Sequence, residues 1–157
     1  MNLKSTVHWL TQTPLSQTIQ TTSWAIPGIQ VVHIICLAAL FAFALNLSLR
    51  VAGRGLAVES LASLAGRLVP AIWICVDILF LSGSLLIIAE PFRTITNPVF
   101  YLKMGLLIVA IVLTLRLDHV ARRASETPSR AHTAVAILSM LVWAGIIVAG
   151  RFIAYLY

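Results

Sequence analysis

His33, Asp77, Lys103 and Arg151 lie inside stretches of sequence that are otherwise apolar, with Glu90 and Arg93 between two such stretches. If the stretches sit in a lipid bilayer, each ionisable group costs about 2.5–3.5 kcal/mol on insertion scales and needs a partner, a cavity or a task. The 1.5 Å rise of a helix places His33 roughly 9 Å beyond Pro27 and Lys103 roughly 8 Å beyond Pro98, the prolines that open their stretches. Arg151 stands near the end of the last stretch. With alternating helix directions all three fall toward one end of the molecule, and Glu90 and Arg93 close that end.

A histidine and several cations at similar depth, contributed by different helices, can hold a ligand that is flat, anionic or both. Imidazole ligates metals or hydrogen-bonds a carbonyl, and Lys and Arg hold carboxylates. Haem b fits this inventory: His33 as axial ligand of the iron, carboxylates reaching Lys103, Arg93 or Arg151, and apolar walls from Phe41, Trp73, Phe80 and Met104. A quinone is the alternative redox ligand for the same groups. Copper is a further one, since His33, Cys36 one turn on and Met104 form a soft set suited to Cu(I). Beside these stands a structural reading in which His33, with Gln30 one turn before it, bonds to a neighbouring helix and Lys103 snorkels to the interface. His8, His119 and His132 fall outside the apolar stretches or at their edges, so a bis-histidine cytochrome b is not expected.

Asp77 belongs to another depth, nearer the opposite end of the second stretch. A buried carboxylate there is expected to pair with Arg50 or Arg116, to take Asn46 as partner, or to relay protons. Cys36 and Cys75 lack metal-type spacing and read as small packing residues, a disulfide between them being the alternative. Gly83 with Ser82 and Ser84, and Gly145 with Gly150, give two stretches small patches for close helix approach.

The elements that must position these groups follow from composition. Of 157 residues, 60% are hydrophobic and only 10% charged, against about 25% charged in a soluble domain. The apolar residues come in blocks near the roughly 20 residues that span a bilayer: 27–49, 68–89, 98–115 and 134–156. Short connections make this an all-α, integral-membrane, up-down four-helix bundle in a single domain. Residues 1–23, polar with Lys4 as their one charge, are expected to be retained as an interfacial segment with Trp9 and Trp24 at headgroup depth. Glu90-Pro91 and Asn97-Pro98 mark a turn, with Pro98 starting the third helix and Ser129 or Thr133 capping the fourth.

The net charge of +6 does not point to nucleic acid. Arg50, Arg54, Arg67, Arg116, Arg122, Arg123 and Arg130 all fall in the first and third connections, which the positive-inside rule assigns to the cytoplasm. Both termini then face outward, into the periplasm of a bacterial inner membrane. No phosphate-cradling glycine loop, H-E-x-x-H or G-x-S-x-G motif is present. Four helices show no inverted repeat, so a secondary transporter would need at least a dimer.

Over nearly its whole length the chain resembles the DUF6644-type family of four-helix bacterial membrane proteins. The likeness rests on Ser23-Trp24, Pro27 and His33, on Leu47-Ser48-Leu49-Arg50 with Gly53, on Ser82-Gly83, and on Glu90-Pro91-Phe92-Arg93 through Asn97-Pro98-Val99-Phe100-Tyr101-Leu102-Lys103. Where that pattern has an acid near the end of the first helix, this chain has Asn46. A looser similarity reaches the CopD-type copper-resistance and HemJ-type protoporphyrinogen oxidase families, which also place a His on helix one and a Lys early in helix three. The HemJ-type resemblance implies haem or porphyrin binding by His33 and Lys103, although no Trp-x-x-Gly-Leu element follows His33. The expectation is a small inner-membrane protein that binds b-type haem, or a quinone, through His33 and Lys103 for electron transfer. It would act more as a non-catalytic subunit than as an enzyme, anchoring a redox assembly with membrane or periplasmic partner subunits or as a homo-oligomer. The alternatives are copper binding or transport and a purely structural accessory role.

Overall fold

A computed structural model describes residues 3–55, 59–123 and 129–155. Seven helices follow one another: α1 (Leu3–Thr11), α2 (Pro14–Thr21), α3 (Ala25–Val51), α4 (Leu61–Ala89), α5 (Pro91–Ile95), α6 (Pro98–Arg123) and α7 (Arg130–Tyr155). Of these α3, α4, α6 and α7 are long and apolar enough to cross a membrane. In lipid only intrahelical hydrogen bonds can satisfy such a backbone. The protein is an all-α, multi-pass membrane bundle.

The long helices reach beyond the apolar blocks at the arginine-rich end, where Arg67 on α4 and Arg116, Asp118 and Arg122 on α6 are still helical. Charged residues end the apolar pattern but not the helix. Ser60 caps α4, accepting the Ser63 N–H at 3.2 Å, and Asn97 caps α6, its Oδ1 accepting the Val99 N–H at 2.9 Å. Ser129 rather than Thr133 precedes α7, its hydroxyl accepting the Ala131 N–H at 3.3 Å. Helix α3 closes on Gly53, whose φ of 72° is open to glycine at no steric cost. There the Arg54 N–H reaches the Leu49 carbonyl and the Gly53 N–H that of Arg50, a Schellman pair that satisfies two end carbonyls.

Two antiparallel hairpins make the bundle. In the first, Arg50 Nη2 on α3 donates to the Glu59 carbonyl before α4 at 2.6 Å, while His33 and Ser82 meet at the far end. In the second, a Cβ at Gly145 or Gly150 of α7 would stand 3.6 Å from Leu106 or 3.7 Å from the Lys103 Nζ of α6. Helix α5 joins α4 to α6.

The core lies toward the arginine-rich end. One buried cluster holds Leu40, Ile72, Ala110, Trp143 and Ile146, and a second holds Leu47, Val51, Leu68, Leu117 and Ala136. Between them Ser48 and Ser139 are fully buried, and neither hydroxyl has a partner among the described residues. Each helix buries a two-turn repeat: Leu40 and Leu47 on α3, Ala110 and Leu117 on α6, Leu68, Cys75, Ser82 and Ala89 on α4, Val142 and Ala149 on α7. No residue of α3 before Leu40 and none of α6 before Ala110 is buried, so these two helices are loosely covered at the α5 end.

The first residues fold as two short helices docked across that end. Ser16 Oγ donates to the Ile88 carbonyl at 2.8 Å, and Gln20 Nε2 donates to the Ala89 carbonyl at 2.8 Å and to Ser16 Oγ at 3.0 Å. The last carbonyls of α4 lack intrahelical donors, and α2 supplies them from side chains. Val7 and Ile19 are buried beneath, and Trp9 and Trp24 are exposed, 66% and 75%.

Candidate ligand site

The core repeat locates the polar residues. Two turns before Leu40 on α3 stands His33, and two turns before Ala110 on α6 stands Lys103, so both continue the inward stripes of their helices past the packed core. Both are partly buried; His33 lies against Gly83 of α4 and Lys103 against Gly150 of α7. The sequence singled out this pair, and the structure places each on the line of buried residues of its own helix, at the α5 end.

Its surroundings come from α4 and α7. His33 Nδ1 lies 2.8 Å from the buried Ser82 Oγ, and that hydroxyl also lies 2.7 Å from the Ile78 carbonyl. A serine hydroxyl has one proton. The carbonyl can only accept, so the proton goes to Ile78 and Ser82 accepts from His33 Nδ1–H. The neutral ring therefore carries its free lone pair on Nε2, the arrangement of a metal-ligating histidine whose other nitrogen is held by a second group.

Two glycines stand against these side chains at the same level. A Cβ at Gly83 would stand 3.5 Å from His33 Cε1, and one at Gly150 would stand 3.7 Å from Lys103 Nζ. A larger side chain at either position would grow into the space beside the imidazole or the ammonium. Gly105, one turn into α6 from Lys103's neighbours, faces open space.

The other expected residues are elsewhere. Arg93 pairs with Glu90 at 3.1 Å, and the two line an open cleft of about 360 Å³ with Thr11 and Gln20 under the N-terminal helices. Arg151 follows Gly150 and is exposed, as is Gln30; the hydrogen bond of His33 goes to Ser82 and not to Gln30. Among the proposed apolar walls, Phe80 is 73% exposed. Phe41 packs on the first buried cluster and Trp73 on the second; Met104 is partly buried. Cys36 and Cys75 are both free thiols, Cys75 buried and Cys36 partly so. Among the described residues no three His, Cys, Asp or Glu side chains gather as a metal site.

Ser82 is the residue that sequence reasoning assigned only to helix packing. The signal was present in the Leu68, Cys75, Ser82, Ala89 repeat, which turns its hydroxyl toward the neighbouring helices. The pairing with His33 depended on the α3–α4 register, which no local pattern states. Asp77, expected to be buried against Arg50, Arg116 or Asn46, is instead exposed on α4, and no ion pair or hydrogen bond joins it to a described residue. Neither a family model, nor a curated protein, nor a solved structure matches the chain.

Proposed function

We propose that this membrane protein binds a b-type haem between its two hairpins at the α5 end and serves electron transfer as the membrane subunit of a redox assembly. The observation that carries the reading is the 2.8 Å contact of His33 Nδ1 with Ser82 Oγ, which, with the Ser82 hydroxyl bonded to the Ile78 carbonyl, assigns the ring proton to Nδ1 and leaves Nε2 for a ligand. Gly83 and Gly150 let the imidazole and the ammonium lie close against α4 and α7. In this reading His33 would ligate the iron, and Lys103 would either pair with a carboxylate or act as a second donor. A bound haem would supply one-electron chemistry. The protein's own part is to fix the imidazole, place a positive charge nearby and exclude most of the surrounding water.

The resemblance to DUF6644-type and HemJ-type membrane proteins supports the same two residues. With the arginine-rich end cytoplasmic by the positive-inside rule, the site opens toward the periplasmic face of a bacterial inner membrane. A quinone is the alternative ligand: a carbonyl would accept from Lys103, and in the reduced quinol a hydroxyl would donate to His33 Nε2. Copper is the other alternative, through His33, Cys36 one turn further along α3 and Met104.

An absorption spectrum of gently solubilised protein, oxidised and dithionite-reduced, tests the reading against its His33→Ala variant. A Soret and α-band pair lost in the variant is the expected result. Protein made with ample haem that shows no such bands overturns it, and stoichiometric copper in that protein would select the copper reading.

A further inference from the structure

Asp77 takes no part in the site above. It lies on the side of α4 opposite the buried Leu68, Cys75 and Ser82 and is exposed. By helix rise it stands roughly 15 Å from Arg67 and roughly 20 Å from Glu90, the charged residues that bound the apolar run. It is therefore near the middle of the span. Around it Ile74, Phe80 and Leu81 are 61%, 73% and 64% exposed, a surface that lipid accepts everywhere except at the carboxyl group.

A carboxylate facing hydrocarbon is expensive, and once ionised it can only accept hydrogen bonds. Among the described residues no side chain donates to it. Arg50 is bound to the Glu59 carbonyl and Arg67 to the Glu59 carboxylate. Lys103 points inward beside Gly150, while Asn46 and Arg116 sit well toward the arginine-rich end of their helices. A second copy in the same membrane orientation would bring the same residues to the same depth, so it would meet Asp77 with another Asp77 and not with a cation.

We propose that this face of α4 docks a membrane-spanning helix of a different protein, one that carries Lys or Arg near the bilayer midplane and pairs with Asp77. The pairing gives specificity of depth and orientation, and Ile74, Phe80 and Leu81 supply the apolar contact around it. The proposal is independent of what His33 binds, because it uses the opposite side of the first hairpin.

The test uses a synthetic polyleucine span with a single central Lys, labelled for energy transfer, and the full-length labelled protein in liposomes. Association with the wild type is expected to be about tenfold tighter than with Asp77→Asn, the size of a typical intramembrane polar contact. The same gap is expected when the wild type meets a probe with Leu in place of Lys, or with Lys moved two turns. Asparagine is nearly isosteric at an exposed position, and the lysine-free probe on unaltered protein guards against a folding defect. Equal association in all these pairs overturns the proposal. So does self-association of the wild type that Asp77→Asn abolishes while the Lys probe shows no preference.

Discussion

The two ends of this bundle are built on opposite terms. Toward the arginine-rich end the inward stripes carry Leu40, Leu47, Leu117, Trp143 and Ile146, all buried at 2% exposure or less. Toward the α5 end the same stripes carry His33 and Lys103, and α3 and α6 bury nothing there. The helices run on unbroken through both. The difference lies in which side chains occupy the seam, and it shows a small bundle keeping rigidity in one half so that the other can stay open.

The largest break of that contrast should come from Trp143→Ala. The indole is 1% exposed and central to the first cluster. Its loss should cost about 3–5 kcal/mol, read as lost resistance to unfolding in a denaturing-detergent titration. Ile29→Ala, on the inward line of α3 but partly exposed, should cost under about 1 kcal/mol because few neighbours lose contact. Similar losses at the two positions would mean that the α5 end is as tightly packed as the core.

Next comes the space at the open end. Gly83→Val would push methyl groups from a Cβ already 3.5 Å from His33 Cε1. Folding should survive, and titration of the solubilised protein with haem should show at least roughly tenfold weaker binding, since a displaced ring loses most of a favourable contact. Ser82→Ala sharpens the same point. Without the acceptor that fixes the His33 tautomer, haem affinity should fall roughly 10–100-fold, the usual effect of removing an outer-shell partner, with little change in stability. Unchanged affinity in Ser82→Ala would separate His33 from any ligating role.

The smallest effect belongs to the cap. Gln20→Ala removes the donor to the Ala89 carbonyl and should cost about 1 kcal/mol. It should be seen as faster amide exchange across Pro14–Thr21 while the four long helices keep their protection. Faster exchange in α3 and α6 as well would show that the N-terminal helices hold the open end together.

The sequence alone determined that this is a membrane bundle, where its four spans lie and that His33 and Lys103 are out of the ordinary, because hydropathy, helix rise and the cost of charge in lipid are properties of single segments. It also located Gly53, Pro98 and the arginine-rich end, whose effects are local, although most of those arginines lie on the helices and not between them. Only the tertiary structure decided which residue orients His33, since the α3–α4 register that sets Ser82 opposite it is fixed by packing along the whole hairpin. For the same reason Asp77, which reads as a buried group in one dimension, stands on the outside of α4. The docking of α2 is another such relation, since the carbonyls ending α4 take Ser16 and Gln20 from a segment far away in sequence. Facing and register are relations between helices, and no single helix contains them.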